Sequence, residues 1–336
     1  MGFRARKSFK VAPGVRLNVS KTGVGLSGGV KGARYSVHSS GRRTTSVGVP
    51  GTGVGWRSDS GGSRSRSAPA STGSANLPAQ PPRPGLMASK GEKALHKALV
   101  ASGPRMADLE VVAEEHPDQA PVARLFAGAL RAAQGDLAAA RTHLQRAFGS
   151  SEATGDLAEH PFVRKYLAGV SLEVPIATGV TAPLPIGTDT AGLLLAEVLQ
   201  AQASLEAAIE VVERVEPTSY AAVSLAELYL AAGRYDDVVD LTNGITNDDA
   251  STALLCVLRG RALHELGHHD AALEALKQAL RSKSRPAAIR HQALATRAET
   301  YLALGKRAQA IKDFERILGE DASDPSVRQR LEELKA

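Results

Sequence analysis

The sequence predicts a mostly α protein, an α-solenoid of helical hairpins preceded by a small all-β unit and a disordered linker. Three observations carry this. A fixed spacing of small and large residues recurs down the C-terminal two-thirds, the first 57 residues run in short alternating stretches between glycines, and a Ser/Gly/Pro segment separates the two. A chain of 336 residues also exceeds the roughly 100 to 200 of one typical domain, so more than one unit is expected.

Residues 1–57 come first. The stretches VRLNVS (15–20), ARYSVH (33–38) and RTTSVGV (43–49) alternate as strands do, with glycines as punctuation and no helical period. Gly23, Gly25 and Gly28 spell GxGxxG, but the fingerprint for a dinucleotide needs a helix after it, and GVKGARYSV continues as turn and strand. The opening MGFR, then GVRLNVSKTGVGLS and RRTTSVGVPGTG, resemble domain of unknown function 4236. That resemblance implies a compact β module of a bacterial protein and no activity.

Charge is concentrated in this head. Arg4, Arg6, Lys7, Lys10, Arg16, Lys21, Lys31, Arg34, Arg42, Arg43 and Arg57 meet no acidic residue before Asp59, whereas beyond residue 89 acids outnumber bases, 34 to 27. Such a head attracts polyanions and should release them as salt rises. A nucleic acid, an anionic lipid surface, an acidic protein or the chain's own acidic body would all answer to it. Residues 58–89 are expected to be a linker, because Pro69, Pro78, Pro81, Pro82 and Pro84 oppose regular structure and apolar residues are sparse.

Helical hairpins are expected over 90–168 and again over 191–336. The ruler is a small residue, a large one at +3, Gly at +7, Ala at +12, a large apolar residue at +16 and Ala or Ile at +19. Ala298, Tyr301, Gly305, Ala310, Phe314 and Ile317 fill it, as do Gly260, Leu263, Gly267, Ala272, Leu276 and Ala279. Further copies run Gly128, Arg131, Gly135, Ala140, Leu144, Ala147, then Ala226, Tyr229, Gly233, Val238, Thr242, Ile245, and more loosely Ala196, Leu199, Ala203, Ala208, Val212, Val215. Small residues let two helices approach, Gly turns the chain, and large residues fill the space between pairs. The starts at 226, 260 and 298 are unevenly spaced, so a turn is expected to take extra residues. This pattern resembles the tetratricopeptide repeat, which implies a stacked array that binds proteins or peptides and does no chemistry.

Residues 169–190, with Pro175, Pro183, Pro185 and many β-branched neighbours, interrupt the helical period and read as an extended insertion, either a hairpin or a loop. No segment has the roughly 18 apolar residues of a membrane span, and no targeting signal is read at the start, so a cytoplasmic location is expected. The lone Cys256 falls on an apolar helix face, where it reads as a small core residue.

His264, Glu265 and His268 lie in HELGHH and match HExxH, in which two histidines one turn apart bind zinc and the Glu acts as base. A zinc-dependent hydrolase is therefore the rival reading, with His264 and His268 as metal ligands. The repeat register opposes it: Gly267 takes the turn slot, which would break the helix between the two imidazoles. The chain is accordingly read as non-enzymatic, without cofactor: an adaptor or scaffold for a protein or peptide partner. A nucleic-acid or membrane-surface anchor is the second alternative. In the repeat family first helices line the groove, and by position this implies Tyr220, Glu227, Arg261, His264, Glu265, Gln292 and Glu299 as groove residues. The acidic members favour a basic or polar partner.

Overall fold

The computed structural model describes residues 83–335 apart from 102–103, 178–179 and 323, and before them the backbone of six strands between Lys7 and Ser60. These strands, β1 (Lys7–Ala12), β2 (Val15–Ser20), β3 (Gly23–Val30), β4 (Ala33–His38), β5 (Arg43–Gly48) and β6 (Gly55–Ser60), pair antiparallel in sequence order. Leu17 stands opposite Leu26, and Val37 opposite both Leu26 and Arg43. Gly23, Gly25 and Gly28 thus lie in a strand that is followed by another strand. The cationic side chains expected to bind a polyanion, and residues 61–82 of the linker expected over 58–89, lie outside the described residues.

The chain divides into two compact units, Met1–Pro175 with Thr181–Val198, and Ile176–Val180 with Leu199–Ala336. In the first, Ser89 caps α1 (Lys90–His96) by accepting from the Glu92 amide at 3.0 Å, and a π-helical turn, Lys97–Ala101, extends it. Then follow α2 (Met106–Glu115), α3 (Ala120–Gln134) and α4 (Leu137–Gly149). α3 and α4 cross closely at Gly128, where a Cβ would stand 2.5 Å from Leu144 Cγ. That contact is why the small slot here is Gly and not Ala. A short α5 (Ser151–Thr154) and α6 (Pro161–Tyr166) complete the stretch. Tyr166 donates to Glu92 at 2.5 Å and Lys165 donates to it at 2.8 Å, so these two partners hold that carboxyl below its usual range.

Residues 169–190 contain a hairpin, β7 (Ser171–Ala177) and β8 (Val180–Pro185), which leads into α7 (Thr188–Ala201). Val180, Ala182 and Leu184 are buried while Pro183 and Pro185 are exposed, the alternation of a sheet with one covered face. Proline is tolerated there because a two-stranded sheet consists of edges.

The second unit is a run of hairpins: α8 (Leu205–Val212), α9 (Ser219–Ala231) with α10 (Tyr235–Leu241), α11 (Ala250–Glu265) with α12 (His269–Ala279), α13 (Ala287–Ala303) with α14 (Arg307–Glu320), and the final α15 (Pro325–Lys335). Ala226, Ala272, Leu276, Ala298 and Ala310 are wholly buried, as the ruler requires. Gly260 repeats the close approach of Gly128, with Leu276 Cγ 2.6 Å from the place of a Cβ. A bidentate pair, Arg297 on Asp313 at 2.7 and 2.6 Å, ties α13 to α14.

The turns are alike in atomic detail. The amide after each turn residue returns to the carbonyl of the slot at +3: Asp136 to Arg131, Arg234 to Tyr229, His268 to Leu263 and Lys306 to Tyr301, all at 2.8 to 3.0 Å. Gly135, Gly233, Gly267 and Gly305 supply the left-handed residue at φ between 71 and 83°. Ala203 takes the same place at φ 57°, and Ser204 returns to Leu199 at 2.9 Å, so the loosest copy of the ruler makes the same turn without Gly. One expectation is corrected here. The extra residues between the starts at 260 and 298 lie in a second helix rather than a turn, since α12 has 11 residues where α10 has 7. α10 is short: it ends at Leu241, Gly244 is left-handed at φ 74°, and Ile245 lies beyond the helix.

Candidate protein-binding face

α11 packs between α9 and α13. The residue following each small slot, Glu227, Arg261 and Glu299, therefore recurs at one register position on three neighbouring helices and alternates in charge. Glu299 is clamped: Arg330 on α15 donates from Nε and Nη2 to its two carboxylate oxygens at 3.0 Å each, and from Nη1 to Glu333 at 3.1 Å. These pairs push the guanidinium pKa further up. α15 is seated by apolar contact too, Val327 and Leu331 being buried with Leu294, Ala298, Phe314 and Ile317.

Glu227 occupies the equivalent place with no such partner. It is half-buried, and among the described residues it makes neither a hydrogen bond nor an ion pair. Burial pushes its pKa up to about 7, against the opposing charge of Arg261. Arg261 is exposed and likewise makes neither kind of contact. The surface thus presents a poorly solvated carboxylate beside an unengaged guanidinium.

The remaining residues expected on this face stand on the same three helices. Tyr220, half-buried, stands at the start of α9, and Gln292, half-buried, in the second turn of α13. Glu265 is exposed and ends α11. His264 lies 3.2 Å by Nδ1 from Thr300 Oγ1. Thr300 gives its one hydroxyl proton to Thr296 O at 2.8 Å, so in its contact with Thr300 the His264 Nδ1 is the donor.

HELGH is not one helix. α11 ends at Glu265, Gly267 is left-handed at φ 79°, and His268 is the N-cap of α12. The two imidazoles of the motif therefore lose the one-turn spacing on a common face that a zinc site needs. The ring nearest His264 is that of His269, 5.2 Å away between centroids. Among the described residues no group of three or more His, Cys, Asp and Glu is placed to hold a metal ion. Cys256 is buried, and burial raises its thiol pKa. The clamp from Arg330 and the Arg297–Asp313 pair had no signal in the sequence, because each joins residues whose proximity depends on how helices stack.

Tetratricopeptide-repeat models match residues 121–146, 219–241, 253–285 and 291–324. These four hairpins are tetratricopeptide repeats. The matched segments fall on α3 with α4, α9 with α10, α11 with α12 and α13 with α14, and pass over the turn at Ala203. Residues 3–57 match a protein of unknown function family, DUF4236. No curated protein matches the chain. Among solved structures, the N-terminal domain of the EccA1 ATPase from the ESX-1 secretion system of Mycobacterium tuberculosis is similar at 18% identity and a TM-score of 0.51, over 73% of this chain and 87% of that one. TTC0263, a tetratricopeptide-repeat protein of Thermus thermophilus, aligns at 20% identity and a TM-score of 0.40, over 65% and 98%. YrrB, described as having an unusual peptide-binding site, aligns at 13% and 0.44, over 68% and 100%. At these identities the likeness to the first shows the fold alone.

Proposed function

We propose that the chain is a non-enzymatic scaffold that binds a protein or peptide segment along α9, α11 and α13, the segment presenting a guanidinium or ammonium group to Glu227. Tetratricopeptide repeats support a protein-interaction role, and one observation supports this face: at the same register position two helices on, Glu299 is already satisfied by an arginine from α15. A partner would supply for Glu227 what α15 supplies for Glu299. Desolvation makes such a pairing worthwhile, because a cation that restores the charged form gains more at a poorly hydrated carboxylate than at an exposed one. Arg261, Glu265 and His264 would give the polar rim, with Tyr220 and Gln292 at its margins.

The head over 1–57 would then be a separate basic contact for a nucleic acid, an anionic lipid surface or an acidic protein, tethered by 58–89; its charge alone supports this. Among the described residues no helix is long and apolar enough to cross a membrane, and a cytoplasmic adaptor fits a chain with one buried, unpaired cysteine. Affinity capture with the full chain, read by quantitative mass spectrometry, tests the reading. Wild type should retain proteins that Glu227→Gln and Glu227→Lys both lose. Identical sets captured by all three would place the binding surface elsewhere.

A further inference from the structure

The arginines of the second unit are, for the most part, engaged. Arg234 pairs with Asp237, Arg290 with Glu320, Arg297 with Asp313 and Arg330 with Glu299, while Arg285 donates to Asn247 and Arg307 to Leu334 O. The side chains of Arg259 and Arg281 make no hydrogen bond or ion pair among the described residues, and both line one cleft of about 500 Å³ between α11 and α12. Arg261 and Arg316 are also unengaged, but they stand apart from this cleft.

Arg259 reaches the cleft from α11, and its Nε is buried without an acceptor. Lys277 on α12 and Arg281 just beyond it supply the other cations, while Glu274, 3.4 Å from Lys277 in an exposed pair, is the one carboxylate lining the cleft. Three cations against one anion leave two positive charges in a concave site. Gln278 is held at its wall by donating to Ile245 O at 3.0 Å.

A plainer role exists for part of this set. Lys277 and Arg281 lie at the C-terminal end of α12, where cations offset the helix dipole. That account does not reach Arg259, which sits on another helix and lines the same cleft. A group that accepts hydrogen bonds and carries two negative charges would satisfy all three residues, and guanidinium forks match tetrahedral oxyanions in a bidentate manner.

We infer that the α11/α12 cleft binds a dianionic phosphate group, held by Arg259 and Arg281 with Lys277 balancing its charge. This site is separate from the face around Glu227, whose chemistry is of opposite sign, and stands or falls independently of it.

The test is calorimetric titration of the full chain, at constant ionic strength, with inorganic phosphate, with a short phosphoserine peptide and with the same peptide unphosphorylated. Each titration is repeated for Arg281→Gln, Arg259→Lys and the control Arg316→Gln. The basic head is common to all four proteins, so differences between them report the cleft. Wild type and the control should bind a phosphate probe alike, and Arg281→Gln should weaken it about tenfold or more. Arg259→Lys keeps the charge and loses the fork, and should weaken it severalfold. A phosphopeptide that binds more tightly than inorganic phosphate marks a phosphorylated protein as the source, and equal binding marks the free ion. Absence of binding, or binding that Arg281→Gln leaves unchanged, overturns the inference, and because Arg281 is exposed that variant should fold.

Discussion

Glu227 on α9 and Glu299 on α13 are the same residue at the same step of the repeat, and they live in opposite circumstances. Glu299 is held by two hydrogen bonds from Arg330, on a helix that closes the array. Glu227 has lost part of its hydration and gained nothing in exchange. The difference teaches what the final helix does: α15 covers the last hairpin with Val327 and Leu331 and neutralises the glutamate beneath it. The earlier hairpin keeps the glutamate and is followed by α11 in the same way, but α11 sets no cation on it.

The largest expected effect tests the covered side. Leu331→Ala should cost roughly 3 kcal/mol in chemical unfolding, the range for emptying a buried leucine site. A loss under about 1 kcal/mol would mean that α15 is not docked, and the contrast with Glu227 would dissolve.

The unpaired glutamate is tested by Glu227→Gln, through pH. The carboxyl titrates at about 7 when folded and near 4.5 when unfolded, so between these values the folded state binds the extra proton and its stability falls as pH rises. The cost is absent below about pH 4.5 and complete above about pH 7. The amide variant should therefore be more stable than wild type by on the order of 2 kcal/mol at pH 8, with the difference vanishing at pH 4.5. Thermal unfolding at the two pH values reads this directly.

Turn chemistry sharpens the comparison, since each turn sets where a first helix stops and which residue reaches its face. Gly267→Ala should destabilise by about 1 kcal/mol and Ala203→Gly should stabilise by a similar amount, both read from denaturation midpoints. Opposite signs at equivalent positions are the expected signature of one geometry shared by Gly and Ala. The smallest effect should come from Arg330→Ala. Its pair with Glu299 is substantially exposed, so less than about 1 kcal/mol is expected, shrinking as salt is added.

Much of the second unit was legible because its turns are written in Gly and its crossings in Ala and Gly, residues whose small size is itself the structural instruction. Gly267 read as a turn also settled the HELGH segment: a left-handed residue between His264 and His268 separates two rings that the motif needs on one helix. Ala203 was harder to read, because an alanine in the left-handed region carries no mark in the sequence and is fixed by the packing of the flanking helices. The length of α12 was misassigned to a turn, since α10 stops early at a left-handed Gly244 that the spacing between repeats does not reveal. Of the candidate face, the helices and the residues on them could be placed by register. Which glutamate was satisfied could not, because Arg330 meets Glu299 only after α15 has folded back, and the unpaired state of Arg259 is a property of every neighbour it lacks.

The most direct test of the account is the titration of the Glu227 side-chain carboxyl by carbon-detected magnetic resonance in the full chain. A midpoint near 7 is predicted, as for a desolvated carboxylate with no cation upon it. A midpoint near 4.5 would show a carboxylate already hydrated or already paired, and the open place beside Arg261 would not exist.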